Sequence, residues 1–143
     1  MAEPLTIEAI FGGAIDASYI GPNPAINAFV QSHGEAIRIV AGATSGGAAL
    51  VVRPEINSAE DLRGKTVATP QLGNTQDVAL RAWLADNGLQ TSKTGEGDVT
   101  IQAGTENATT LQLFQDGAID GAWLPEPWVT RLVQEAGAKV LVD

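Results

Sequence analysis

The residues best placed for chemistry lie in the run Pro70-Gln71-Leu72-Gly73-Asn74-Thr75-Gln76-Asp77, between a strand-like and a helix-like segment. Asn74 or Thr75 can cap the helix, and Gly73 lets the backbone come close to a ligand. The first N–H groups of a helix have no intrahelical partners, and with the helix dipole they attract anions without needing a cation. The commoner use of Asn and Thr at such a position is an ordinary N-cap turn. No Gly-Lys-Ser/Thr follows, so this is not a Walker-type phosphate loop. A second donor-rich turn, Thr44-Ser45-Gly46-Gly47, follows another strand-like run. Its N–H groups and two hydroxyls can face the same ligand, or simply join two strands, which is the commoner use.

Trp123 with Pro125-Glu126-Pro127-Trp128 crowds two Trp and an acid into one stretch. Aromatics at strand ends can wall a ligand pocket or pack in a core, and Tyr19 is open to the same two readings. Glu126 can accept a hydrogen bond from a ligand amine or cap the following helix. Trp83 reads as core, and His33, before Gly34, as the surface end of a helix. The chain has no Cys and one His, which excludes disulfides, thiolate metal sites, a Cys nucleophile and a multi-histidine cluster. It shows no Ser-His-Asp order, HExxH run or paired catalytic carboxylate. No catalytic residue, metal or cofactor is expected, and an enzyme is not the reading favoured.

The elements that position these residues alternate between strand-like and helix-like, as expected for an α/β protein with a mainly parallel open sheet and flanking helices. Residues 4–12 read as the end of a helix and 16–20 as a strand. A helix starts at Pro22 or Pro24 and runs to about Ser32, with Ile26, Phe29 and Val30 on one face. Residues 37–41 and 48–52 read as strands. Ser58 caps a helical turn closed by Gly64. Residues 65–69 form a strand, and Thr75 to about Asn87 a helix with Val78, Leu80, Ala82, Trp83 and Leu84 on its apolar face. Residues 90–97 are a surface loop, 99–103 a strand and 106–116 a helix. A helix from Trp128 to Ala136 and a strand from Lys139 to Val142 complete the chain.

One pattern occurs twice. Gly13-Ala14-Ile15-Asp16 leads through Tyr19 to Gly21-Pro22, and Gly117-Ala118-Ile119-Asp120 leads through Trp123 to Pro125-Glu126-Pro127. A Phe stands upstream each time, Phe11 and Phe114. Both read as helix, Gly turn, short strand and Pro-rich loop. In open α/β sheets, loops at the carboxyl ends of strands bind ligands, so the repeat suggests two similar lobes facing one cleft.

Composition narrows the partners. The net charge is −9 and the isoelectric point about 4.4, which argues against nucleic acid and anionic membrane surfaces. Mean hydropathy is near zero, and no apolar run approaches the roughly 18 residues of a membrane span. The start, Met1-Ala2-Glu3-Pro4, is acidic and lacks the apolar segment of a signal peptide.

The chain resembles the solute-binding proteins of ABC importers for nitrate, aliphatic sulfonates and taurine. The resemblance rests on the first Gly-Ala-Ile-Asp copy with Tyr19 and Gly21-Pro22, the turn 42–47, and Ser58 to Gly64 with Lys65-Thr66-Val67-Ala68. It rests also on Pro70 to Asp77 with Leu80-Arg81, and on Trp123 to Trp128. It covers nearly every residue and implies a periplasmic-binding-protein type II-like fold that closes on a small oxoanion between two lobes. Donors would come from the turn holding Ser45 and Gly46 and from the helix start holding Asn74 and Thr75, with Gln71 and Gly73 in the same loop. Trp123 to Pro127 would line the second lobe's side. The resemblance further implies delivery to membrane permease subunits, and a periplasmic or extracellular, or lipid-anchored, full-length parent. Members of that family are about twice this long. Residues 54–143 then correspond to a near-complete second lobe and 1–53 to part of the first. Uncovered edges in a partial lobe would favour a homodimer or strand exchange. Two other classes stand beside transport: a non-transport module built on this fold, and an enzyme of cofactor pyrimidine synthesis, which would need a nucleophile or metal cluster.

Overall fold

The computed structural model describes residues 3–143, so the first two residues of the acidic start lie outside it. The chain divides into two units, one of residues 1–45 with 73–75, the other of residues 46–72 with 76–143.

The second unit is built on a five-stranded sheet. Its strands are β1 (Ala48–Val52), β2 (Thr66–Thr69), β3 (Thr100–Ala103), β4 (Gly121–Pro125) and β5 (Lys139–Val142), in the order β3-β2-β4-β1-β5. β2 pairs parallel with both β3 and β4, while β1 lies antiparallel to β4 and β5. Four strands therefore run one way and β1 alone runs against them. The helices α3 (Thr75–Asp86), α4 (Asn107–Gln115) and α5 (Trp128–Ala136) make the connections between successive parallel strands, as parallel pairing requires.

Both faces of this sheet are covered, and the strand sequences show why. The run Ala-Ala-Leu-Val-Val of β1 is apolar throughout, as suits a strand buried on both sides. Leu50 and Val52 pack on one face with Val67, Trp123 and the α3 residues Leu80 and Leu84. Ala49 and Val51 pack on the other with Ala68, Ala122, Leu124, Phe114 of α4, and Val129 and Leu132 of α5. Leu84, Leu124 and Leu132 are each fully buried, an environment worth roughly 1.5–3 kcal/mol per side chain. Val78 and Ala82, expected on the apolar face of α3, are exposed instead. A short 3₁₀ turn, Glu60–Leu62, precedes β2. Its start is a capping box: the Asp61 amide donates to the Ser58 hydroxyl (3.4 Å), and the Asp61 carboxylate accepts from the amides of Asn57 (2.9 Å) and Ser58 (3.0 Å).

The first unit holds α1 (Glu3–Phe11) and α2 (Pro22–Gln31), which contact each other. Two sequence expectations fail here. Residues 16–20 and 37–41 form no strand, and among the described residues 15–20 and 37–46 make no backbone-to-backbone hydrogen bond. Their composition suits a strand, but a strand exists only with a neighbour to pair with. The expected apolar face of α2 is also open: Ile26, Phe29 and Val30 are exposed while Ala25 and Ala28 are buried.

The duplicated Gly-Ala-Ile-Asp is a duplicated helix stop. After α1, Ala14 N–H donates to Ala9 C=O (2.8 Å) and Gly13 N–H to Ile10 C=O (3.0 Å). After α4, Ala118 donates to Leu113 (2.9 Å) and Gly117 to Phe114 (3.2 Å). Both glycines sit at positive φ, 70° and 80°, the left-handed position of a Schellman cap. Only the second copy continues into a strand. Its Asp120 carboxylate accepts from the Thr66 amide of β2 (2.9 Å), and Arg53 donates to the Phe114 and Ile119 carbonyls (both 2.8 Å).

Candidate functional site

The carboxyl ends of β2 and β4 lie side by side, and the chain leaves them in opposite directions. From β2 it passes through α3 to β3 on one side, and from β4 through α5 to β5 on the other. Such a divergence opens a crevice at the ends of the two strands. β1 runs against β4, so the start of β1 meets this same edge. Ala48 pairs with Pro125, and the Glu126 N–H donates to the Gly47 carbonyl (2.8 Å). Gly46, Gln71 and Glu126 thus come to one edge of the second unit. Gly46 and Gly47 both hold positive φ (68° and 83°) and are exposed.

The loop from β2 into α3 holds the residues expected to act as donors. Gly73 holds φ +76° with open space where a side chain would begin, so a backbone only glycine adopts readily shapes this turn. Asn74 is buried, and Thr75 opens α3. The Thr75 hydroxyl is buried and has no hydrogen-bond partner, unusual for a buried polar atom. Asn74, Thr75 and Gly73 belong to the first unit, as do Tyr19 and Ser45. Gly46, Gln71, Trp123 and Glu126 belong to the second.

Three expected residues take the plainer of the uses open to them, or neither. Trp123 lies in the core with Leu50 and Leu80, because side chains alternate along β4 and its position faces α3. Glu126 caps α5: its carboxylate accepts from the Thr130 amide (3.1 Å) and the Thr130 hydroxyl (3.0 Å). The peptide bond between Glu126 and Pro127 is cis. Tyr19 is 89% exposed, neither in a core nor walled in.

Asp77 closes the run singled out in the sequence, but the sequence reading gave it no role of its own. It is 1% exposed in the first turn of α3. One carboxylate oxygen accepts from the Thr69 hydroxyl at the end of β2 (3.1 Å), the other from the Arg81 Nε (3.0 Å). Arg81 in turn donates to the Ser92 carbonyl (2.6 Å). The Thr69 carbonyl accepts from the amides of Gly104 (3.1 Å) and Thr105 (3.2 Å), beyond the end of β3. Thr69 and Asp77 therefore fix the start of α3 to the ends of two strands. An acid in a first helical turn, four residues before an Arg, was the available clue.

Residues 2–143 match the family described as NMT1-like. The chain belongs to the NMT1-like family. It is 30% identical over 137 residues to the taurine-binding periplasmic protein of Escherichia coli (strain K12), a match covering 96% of this chain and 40% of that protein. Its fold is similar to part of the periplasmic aliphatic sulphonate binding protein SsuA from Escherichia coli: TM-score 0.75, 25% identity, 99% of this chain and 47% of that one. The alkanesulfonate-binding protein SsuA from Xanthomonas axonopodis pv. citri, bound to MOPS, gives a TM-score of 0.72 at 26% identity, again over 99% and 47%. This NMT1-like chain thus spans less than half the length of these relatives. Among the described residues, no helix is long and apolar enough to cross a membrane.

Proposed function

We propose that this chain is the solute-binding component, or a part of one, of an ABC importer, and that its ligand is a small oxoanion such as an aliphatic sulfonate, taurine or nitrate. The observation that carries the reading is the opening of α3 at the carboxyl edge of the sheet, where the buried Thr75 hydroxyl lacks a partner. The unpartnered Thr75 hydroxyl and the helix dipole together favour an anion inside a protein whose net charge is −9. Asn74 and Thr75 are the proposed principal donors, with Ser45, Gly46, Gln71 and Gly73 as further contacts. The names of the matched relatives support the ligand class and a periplasmic setting; permease subunits are the proposed partner that receives the ligand.

Calorimetry with taurine, ethanesulfonate, nitrate and sulfate tests the reading. At least one should bind, and binding by none of them overturns it. Replacing Asn74 and Thr75 together by Ala should weaken that binding by roughly 10- to 100-fold, the loss of one or two hydrogen bonds to a charged group. Unchanged affinity would remove the site from α3.

A further inference from the structure

The proposed anion site has an acid built into it. Asp77 lies in the first turn of α3, two residues after Thr75, and is buried. An ionised carboxylate there competes with a bound anion for the positive end of the helix. It also repels that anion, most strongly where water is excluded. The opening of α3 therefore suits an anion only if this charge is cancelled nearby. Arg81, one turn further along the same helix, cancels it. Its Nε donates to one Asp77 oxygen (3.0 Å), and its Nη1 is anchored separately on the Ser92 carbonyl (2.6 Å). Arg81 Nη2 is buried with no hydrogen-bond partner. Leaving such a donor unsatisfied costs stability, and a buried ion pair of this kind is often no better for stability than an apolar pair of similar size. The feature that an apolar pair would not supply is the charge balance.

We propose, resting on the reading that α3 opens on an oxoanion, that Arg81 sets the charge of that site and so the charge of its ligand. With Asp77 cancelled, the attraction that remains is the roughly half charge of the helix start together with neutral donors. That balance suits a singly charged ligand, a sulfonate or nitrate, over a doubly charged one such as sulfate, whose second charge is left unmet. Arg81 touches no ligand. It is a positioning residue that acts through Asp77, and both lie in the second unit with Thr69 and Ser92.

The test is calorimetry of the whole chain and three variants with ethanesulfonate and sulfate. Asp77→Asn keeps an oxygen for the Thr69 hydroxyl and leaves Arg81 uncompensated. It should tighten ethanesulfonate about threefold or more, and sulfate by about the square of that factor, because the added Coulomb energy doubles with ligand charge. Arg81→Gln leaves the acid uncompensated. It should weaken ethanesulfonate about tenfold or more, measured at about pH 9 so that the buried carboxylate stays ionised. The double variant, Asp77→Asn with Arg81→Gln, is neutral again and should return to within about threefold of the parent. A role in packing alone predicts otherwise: every variant loosens α3 and weakens both anions alike. Circular dichroism checks folding. If Arg81→Gln does not fold, the comparison of Asp77→Asn with the double variant still decides, and Asp77→Asn should bind ethanesulfonate about threefold or more tighter. Asp77→Asn binding no tighter than the parent overturns the proposal, as does an unchanged ratio of sulfate to ethanesulfonate affinity. Both outcomes leave the oxoanion reading standing, whereas a parent that binds no anion overturns the two together.

Discussion

At the scale of single residues, the candidate site depends on an acid that touches no proposed ligand. Asp77 is buried, and its oxygens are held by Thr69 and Arg81. Removing one partner of a buried charged pair leaves the other uncompensated, at roughly 3–5 kcal/mol. Arg81 keeps partial access to water, so Asp77→Ala should cost about 2–3 kcal/mol, read as a shift in urea midpoint. A loss under about 0.5 kcal/mol would show that α3 is positioned without it. Asp61 gives a pH signature instead. The Asn57 amide foremost, then Ser58, holds its carboxyl below the ordinary carboxylate value. A carboxyl with a depressed native value adds stability above its unfolded value of about 3.9 and loses it as pH falls through the native one. Asp61→Asn should therefore be less stable than the parent near neutral pH. The two should converge as pH falls below about 4. Parallel stability curves down to acid unfolding would refute that assignment.

At the scale of elements, what the sequence revealed depended on whether the cause was local. Thr75 to Asp86 and Trp128 to Ala136 were legible because turn residues and apolar spacing mark their own ends. The loop of Gly73, Asn74 and Thr75 was legible for the same reason. Ile37, Ile39 and Val40 misled because β-forming residues report fitness for a sheet, not the presence of a neighbouring strand. The place of Trp123 was hidden because facing core or cleft depends on which side of β4 a helix covers. Glu126 was ambiguous because the same carboxylate suits a ligand amine and a helix cap, and the bonds to Thr130 that make it a cap depend on the local backbone geometry. The repeated Gly-Ala stop gives an element-level prediction. A side chain at Gly117 would meet nothing closer than Arg53 Nη2 at 3.9 Å, so sterics are neutral and only φ +80° matters. Gly117→Ala should destabilise by about 1–2 kcal/mol, the penalty of a left-handed residue with a Cβ. Thermal unfolding checks it, and an unchanged midpoint would mean that the α4 cap relaxes freely.

At the scale of the whole molecule, stability should be distributed unevenly. The second unit buries two apolar clusters on opposite faces of its sheet, with Leu50, Val51, Val52, Val67, Ala122 and Leu124 wholly inside. The first unit buries small residues, Ala25 and Ala28 with Thr6, and leaves its large apolar ones exposed or half-buried. Apolar burial at about 25 cal/mol per Å² drives local stability, while the ordering cost per residue is the same in both units. The first unit should therefore open far more often than the second. Under native conditions, amides in α1 and α2 should exchange at least about a hundredfold faster than those of β1 and β4. That ratio is a difference of about 2.8 kcal/mol in opening free energy. Exchange in α1 as slow as in β4 would show that the two units unfold as one. If the first unit opens readily, ligand contacts from Ser45, Asn74 and Thr75 must be ordered when the ligand binds. Saturating anion should then raise protection at the start of α3 more than in β4, which is already closed.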